Sequence, residues 1–365
     1  MLNSLEIKNY RNLKELTINS LGRVNLITGK NNTGKSTLLE AAAIYATQGN
    51  STFIYQTLEE RGEYFTQRSA NTNHTATNIK TFSSLFNNRA VGFNVSDAII
   101  IGSLVNKDYI SLRFAKYIDE THIDEQGNRS TKRSVFQRNS ELTSDSYEIG
   151  FEIKSENSSY LLSLKEERPF YSGKIRGFKN NVQLVSTRGI NRDNGNLFDN
   201  ITLTNEEQYV IKALKIIEPL TERIAFVEER LGERSAVIKL SNSAKILPLQ
   251  SMGDGMNRIL SIILALVNSD NGYLLIDEFE NGLHYSVQEK LWTIIFQLSK
   301  ELNIQVFATT HSEDCIRGFQ SALNSQERLS DGKMIRLNNE NDVIKQVEFD
   351  ARELKIADEQ DIEIR

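Results

Sequence analysis

The chain lacks what several classes of protein depend on. It has one cysteine, Cys315, in 365 residues, so neither an intrachain disulfide nor a cysteine-held metal cluster can form. Its four histidines, His74, His122, His284 and His311, are scattered and give no zinc-ligand spacing. No uncharged stretch is long enough to cross a bilayer, and the opening MLNSLEIKNYRN has no basic-then-apolar leader pattern. A cytoplasmic protein without membrane contact is therefore expected. A basic excess is missing too. Against 43 Lys and Arg stand 48 Asp and Glu, a formal charge of -5, which argues against coating nucleic acid and leaves only a local basic face open. Internal repeats and sustained heptads are also absent. What remains, 39% apolar and 25% charged residues, is enough to bury a core.

The first informative pattern is local. The apolar run Val24–Ile27 reads as a buried strand and leads into Gly29-Lys30-Asn31-Asn32-Thr33-Gly34-Lys35-Ser36, after which Ser36–Ala46 has helix-forming composition. Strand, glycine-bounded loop and helix are the order a phosphate-binding loop needs. Its glycines let backbone N–H groups turn inward around phosphate oxygens, at the positive end of the following helix. Asn31, Asn32, Thr33 and Gly34 supply that backbone, and Lys35 is the mobile cation for the β- and γ-phosphates. Ser36 offers a hydroxyl to Mg²⁺, and Thr37 is expected nearer the α-phosphate. Lys30 is either a nucleotide contact or a solvated lysine.

The second pattern lies far downstream. Tyr273–Ile276 is an apolar run ending in Asp277-Glu278. The C-terminal end of a buried strand is where α/β sheets place ligands. Asp277 is expected to hold Mg²⁺, and Glu278 to align and deprotonate the attacking water. Glu280 either reaches a second metal position or faces solvent or a subunit contact, the latter pair being the preferred reading. Tyr10 or Arg11 is a candidate to lie over the base, a solvent-facing turn being the equal alternative.

Between the motifs the pattern changes. Ala98–Leu104, Tyr109–Tyr117, Tyr147–Lys154 and Tyr160–Leu164 read as strands between polar loops, and Val182–Ser186 as another buried strand. Thr204–Leu231 has apolar residues at three- and four-residue spacing and predicts a long helix, kinked or split by Pro219. Ala236–Leu240 and Lys245–Pro248 read as a hairpin, Met256–Val267 and Ser286–Ser299 as helices, and Gln305–Thr309 as a buried strand. The expected fold is α/β, with a mainly parallel core sheet, an antiparallel β-rich lobe and an inserted helical segment. One split domain is predicted: core 1–46 and 236–345, lobe 47–200, helical segment 201–235.

Three further segments resemble the ABC-type ATPases related to SMC, Rad50 and RecF, in particular the prokaryotic AAA_15/AAA_21, OLD-like group. Ser251-Met252-Gly253-Asp254-Gly255, before an apolar helix, looks like the signature loop, with Met252 where glycine is common and Asp254 where glutamine or glutamate is common. Glu280-Asn281-Gly282-Leu283-His284 resembles the D-loop region, and Thr309-Thr310-His311-Ser312 the switch-histidine segment. The resemblance covers roughly residues 1–46 and 236–315.

It implies an Mg-dependent ATPase acting as a homodimer of heads or a higher oligomer. Each ATP would lie between one subunit's phosphate loop and the other's Ser251, Gly253 and Asp254. His311 would sense the γ-phosphate within its own subunit, donating to it while near neutral. The resemblance also implies that ATP-driven dimerisation or switching acts on DNA or a companion nuclease or toxin, in anti-phage defence. Two alternatives stand beside this. One is a repair ATPase clamping duplex DNA through Lys165, Arg168, Lys174, Arg176 and Lys179, a cluster that also reads as a solvated charged loop. The other is a weakly hydrolysing scaffold that restrains its effector.

Overall fold

The computed structural model describes residues 1–64, 74–123, 129–136, 147–156, 158–166, 181–186, 194–230, 233–324 and 331–360. In chain order the elements begin with β1 (Leu5–Tyr10), β2 (Leu13–Ile18), β3 (Val24–Thr28), α1 (Lys35–Ala46), α2 (Ser51–Glu60) and α3 (His74–Ser83). Strands β4 (Ile99–Ser103), β5 (Asp108–Ile123), β6 (Arg129–Val135), β7 (Glu148–Lys154), β8 (Ser159–Ser163) and β9 (Val182–Val185) follow. Next come α4 (Asn194–Ile201), α5 (Glu207–Leu214), β10 (Thr221–Arg230), β11 (Glu233–Leu240), β12 (Ile246–Pro248) and α6 (Asp254–Val267). The last third holds β13 (Tyr273–Ile276), α7 (Tyr285–Glu301), β14 (Gln305–Thr309), α8 (Glu313–Asn324), β15 (Gly332–Glu340), β16 (Val343–Phe349) and α9 (Ala351–Glu359).

Contacts divide the chain into two units, one of residues 1–3, 18–39 and 180–365, the other of residues 4–17 and 40–179. The first contains a six-stranded sheet in the order β16-β15-β3-β14-β13-β9. From β15 to β9 all neighbours are parallel, and β16 closes one edge as an antiparallel hairpin. Strands β3, β13 and β14 are buried at every residue, as sheets covered on both faces require. Their side chains join a core with Ile259–Val267 of α6, Trp292 and Ile295 of α7, and Phe319 and Leu323 of α8. A second, three-stranded antiparallel sheet, β10-β11-β12, leads through the turn Leu249–Met252 into α6.

The other unit carries a seven-stranded antiparallel sheet, β2-β1-β4-β5-β7-β8, with β6 also paired to β5. An aromatic core holds it. Phe82 of α3 lies 4.2 Å from Phe151 of β7, which meets Phe114 of β5 at 5.6 Å. Such pairs contribute roughly 0.5–1.5 kcal/mol each beyond their buried area.

Three expectations about layout are corrected. The helix over Thr204–Leu231 is instead α5 followed by strand β10. Pro219 cannot donate into a helix ladder, and β11 offers one, with Ile224 opposite Ile238 and Phe226 opposite Ala236. Of the apolar residues whose spacing reads as helical there, Ile224 is buried while Leu220 and Val227 are each 41% exposed, so they form no single buried face. Residues 1–46 are not one piece of the catalytic core. Strand β1 pairs with β4, Ile7 opposite Ile101, so the first hairpin belongs to the antiparallel unit. Conversely β9, inside the expected lobe 47–200, pairs in parallel with β13 and completes the core sheet. No described helix is long and apolar enough to cross a membrane.

Candidate functional site

The site grows from the ends of three parallel strands. Strand β3 ends at Thr28, and the chain turns through Gly29 with φ +142°, a conformation side chains rarely adopt. A Cβ there would also collide with the carbonyl of Leu337 on β15 and lie 2.8 Å from Thr33 Oγ1. Glycine is therefore required twice over. Inside the loop the Thr33 hydroxyl donates to the Lys30 carbonyl (2.8 Å). Lys35, the first residue of α1, folds back so that Nζ donates to the carbonyls of Gly29 (2.7 Å) and Lys30 (2.9 Å). Burial pushes its pKa below the ordinary lysine value, while Glu280, Asp277 and Glu278 pull the other way. Thr37 is buried behind the loop; Asn31, Asn32 and Ser36 are exposed at its rim.

Strand β13 delivers the acids to the same place. The Ser36 hydroxyl lies 3.3 and 3.4 Å from the two carboxylate oxygens of Asp277. From β14, the Thr309 hydroxyl donates to Asp277 Oδ1 (2.6 Å) and accepts from the Glu278 N–H (2.8 Å). Glu278 has φ +46°, a left-handed conformation that costs a non-glycine residue about 1–2 kcal/mol. Fixed groups on both sides hold it. Besides Thr309 at its N–H, Arg258 of α6 donates through Nη2 to the carbonyls of Asp277 (2.7 Å) and Glu278 (2.8 Å). The next residue, Phe279, is fully buried and stacks on Trp292 at 3.9 Å, 10° from parallel. Among the described residues the Glu278 carboxylate takes no hydrogen bond.

Glu280 does not face solvent. Its side chain is 11% exposed and accepts from the Thr310 hydroxyl (2.8 Å) and the His311 N–H (3.0 Å), while His311 Nδ1 lies 3.1 Å from Oε1. Tyr10 and Arg11 also differ from both alternatives offered for them. Tyr10 is fully buried, and the Arg11 side chain, 7% exposed, is paired with Glu40 (3.1 Å) and Glu63 (2.5 Å) within the antiparallel unit. Neither is a solvent-facing turn, and neither ring nor guanidinium is open to a base.

The second group of expected residues stands on another turn. Gly253, φ +94°, precedes α6, and Asp254 opens the helix; both are exposed. The Ser251 hydroxyl turns back to the Pro248 carbonyl (2.7 Å). A Cβ on Gly255 would lie 3.1 Å from the Gly282 carbonyl, so this turn packs against the loop following the acids. His284 caps α7, with Nδ1 2.9 Å from the Ser286 hydroxyl. Cys315 is buried and its thiol pKa is raised far above the ordinary range, mainly by desolvation, which leaves it inert. Of the basic cluster, Lys165 is bonded to Glu148 (2.7 Å); Arg168, Lys174, Arg176 and Lys179 lie outside the described residues.

Sequence reasoning missed Thr309 as a bridging hydroxyl, Glu280 as a buried acceptor and Arg258 altogether. The segment Thr309–Ser312 had drawn attention for its histidine, but nothing in an amphipathic helix marks Arg258.

The donors suit a small hard cation. Ser36 and Asp277 present hydroxyl and carboxylate oxygens side by side, and the described residues hold no cluster of three His, Cys, Asp or Glu. Magnesium commonly takes one or two protein oxygens, completing its shell with phosphate and water. The residues present fit it.

Residues 24–314 match the family described as "AAA domain, putative AbiEii toxin, Type IV TA system", and the chain belongs to that family. An "ATP/GTP phosphatase" of Helicobacter pylori is 27% identical over 334 residues, covering 87% of this chain and 86% of that protein. An uncharacterized protein of Methanocaldococcus jannaschii is 46% identical over 56 residues, 15% of this chain and 26% of that one. Among solved structures, the Smc head domain of Pyrococcus furiosus bound to the C-terminal domain of ScpA aligns with a TM-score of 0.48 and 12% identity, covering 99% of each chain. The SMC head domain of Thermotoga maritima aligns at 0.43 and 11%, covering 95% of this chain and 98% of that one.

Proposed function

We propose that this member of the AAA-domain family binds Mg-ATP at the C-terminal end of its parallel sheet, hydrolyses it there, and uses the cycle to close and open a pair of heads. The supporting observation is the continuous set of contacts Ser36–Asp277–Thr309–Glu278 beside Lys35. The printed name of the Helicobacter pylori relative, a nucleoside-triphosphate phosphatase, agrees with this chemistry.

In this reading the amides of Gly29–Gly34 cradle the phosphates. Lys35 exchanges its two carbonyl acceptors for phosphate oxygens, a charge-assisted replacement that relieves its burial. Ser36 and Asp277 would hold Mg²⁺, which when bound supplies charge neutralisation at the phosphates. Glu278, with its oxygens unengaged by described residues and its backbone pinned on both sides, aligns a water and takes its proton. His311, steadied by Glu280, contacts the terminal phosphate. Ser251, Gly253 and Asp254 lie on an exposed turn, so they would serve the nucleotide of a second copy. The output would be a conformational change acting on a companion effector, a toxin or nuclease in a defence setting; the family's description names a toxin and a toxin–antitoxin system.

The test is the mass of Glu278→Gln in solution with Mg-ATP, with Mg-ADP and without nucleotide. A dimer or higher oligomer that accumulates only with Mg-ATP is expected. One unchanged mass in all three states would remove the two-headed cycle.

A further inference from the structure

We propose that Arg258 is a positioning residue for Asp277 and Glu278, tying their placement to the turn Ser251–Gly253 at the head of its own helix. The inference rests on the ATPase reading above and deepens it.

The geometry begins where a ladder ends. Strands β9 and β13 run in parallel register as far as Val185 and Ile276, and the Asp277 N–H makes a last bond to the Val185 carbonyl (2.9 Å). Beyond that point the carbonyls of Ser186, Asp277 and Glu278 take their bonds from the Arg258 guanidinium. Nη1 donates to Ser186 (3.0 Å), and Nη2 to Asp277 (2.7 Å) and Glu278 (2.8 Å). In an extended strand successive carbonyls point to opposite sides. Here two successive carbonyls meet one nitrogen, and the left-handed turn at Glu278, φ +46°, is what brings them together. Without the guanidinium the Asp277 carbonyl would lose its bond and the Glu278 carbonyl would keep only the Asn281 N–H (3.0 Å), which loosens the strained turn.

The charge is placed to matter as well. Arg258 is largely buried, and its hydrogen bonds go to carbonyls; the neighbouring carboxylates of Asp277, Glu280 and Glu278 act on it through space. A fixed cation behind adjacent acids offsets part of their mutual repulsion. Arg258 sits about one turn into α6, after Gly253, while the following residues Ile259–Val267 are locked in the core. A shift of the exposed Ser251–Gly253 turn on meeting a partner can therefore reach the acid pair through the Arg258 side chain. Arginine suits this better than lysine because its planar fork serves three acceptors at once.

The experiment compares Arg258→Gln and Arg258→Lys with wild type in steady-state Mg-ATP turnover, with melting temperature and nucleotide affinity measured in parallel. For the Gln variant kcat is expected to fall roughly 10²-fold, the loss typical of a misplaced catalytic group, with KM changed less than about threefold. Lysine, keeping the charge and one or two of the bonds, is expected to recover roughly tenfold of that loss. A folded Gln variant with wild-type kcat would overturn the proposal. So would equal losses of kcat and nucleotide affinity accompanied by early melting, since that marks a merely structural arginine. If the Gln variant does not fold, the Lys variant decides: a lower kcat at unchanged KM supports the assignment, and unchanged kcat overturns it. Absent turnover in wild type would refute the ATPase reading itself, a result visible before any variant is made.

Discussion

Two regions of this molecule gather charge, and they use it in opposite ways. In the antiparallel unit, Arg11, Glu40, Glu63, Arg61 and Arg89 form a closed set: Arg11 pairs with Glu40 and Glu63, Arg61 with Glu40 at 2.6 Å, and Arg89 with Glu63 at 3.2 Å. The Tyr10 hydroxyl adds a bond to Glu40 (3.2 Å). Each charge answers another. At the end of the parallel sheet the pattern is different. Lys35 spends its donors on its own loop's carbonyls, Arg258 on the carbonyls of Ser186, Asp277 and Glu278, and the Glu278 carboxylate engages no described residue. Charges paired with each other hold a structure; at the sheet end Arg258 holds backbone, and Lys35 and Glu278 are the groups the proposed reading gives to a ligand.

The contrast predicts that substitutions in the two places fail differently. The largest effect is expected from Lys35→Ala. Removing the cation proposed to meet the phosphates should cost about 10³-fold in kcat/KM while the melting temperature stays near wild type. Steady-state kinetics and a thermal melt check it. A wild-type kcat/KM would break the comparison at its strongest point. Arg11→Ala should do the reverse. It leaves two part-buried carboxylates with only the more exposed Arg61 and Arg89 as partners, a loss of roughly 1.5–3 kcal/mol, read as a lower denaturant midpoint. The folded fraction should still turn over.

How much of this was legible beforehand depends on how far apart the partners lie in the chain. Gly29–Ser36 could be read because the chemistry, the strand before it and the helix after it are contiguous. Asp277-Glu278 could be read because a run buried on both faces announces its own end. Glu280 could not, since its acceptors' partners, Thr310 and His311, are thirty residues on and only the pairing of β13 with β14 brings them close. Arg258 looked like any polar residue of an amphipathic helix. The strand β10 was hidden because Leu220, Ile224 and Val227 stand at helical spacing although only Ile224 of the three is buried, and the first hairpin's allegiance was decided by β4, nearly a hundred residues away. Pattern reveals local geometry; pairing partners are not written beside the residues they serve.

Smaller effects sharpen the comparison. Arg61 is 36% exposed, so its bond to Glu40 is screened, and Arg61→Ala should cost only about 0.5 kcal/mol. A loss as large as that of Arg11→Ala would show the cluster to be cooperative throughout. The smallest effect is a proton. Burial holds the Lys35 pKa below the lysine value of 10.5. In the window between that lowered pKa and 10.5 the unfolded chain binds more protons than the folded one, so this group's contribution to stability rises with pH there. Phosphate oxygens should reverse the shift. Mg-ATP binding in the same alkaline window should then take up a proton, measured by calorimetry in buffers of different ionisation enthalpy. Proton release would contradict the placement of Lys35 against the phosphates.

The most direct measurement is phosphate release from Mg-ATP by wild type and Glu278→Gln side by side, with nucleotide binding recorded for both. The expected result is turnover by the wild type, and in the variant retained binding with release slowed at least about 10²-fold, the loss typical of a missing general base. Equal rates in the two proteins would contradict the account, because the water would then be activated somewhere other than the end of β13.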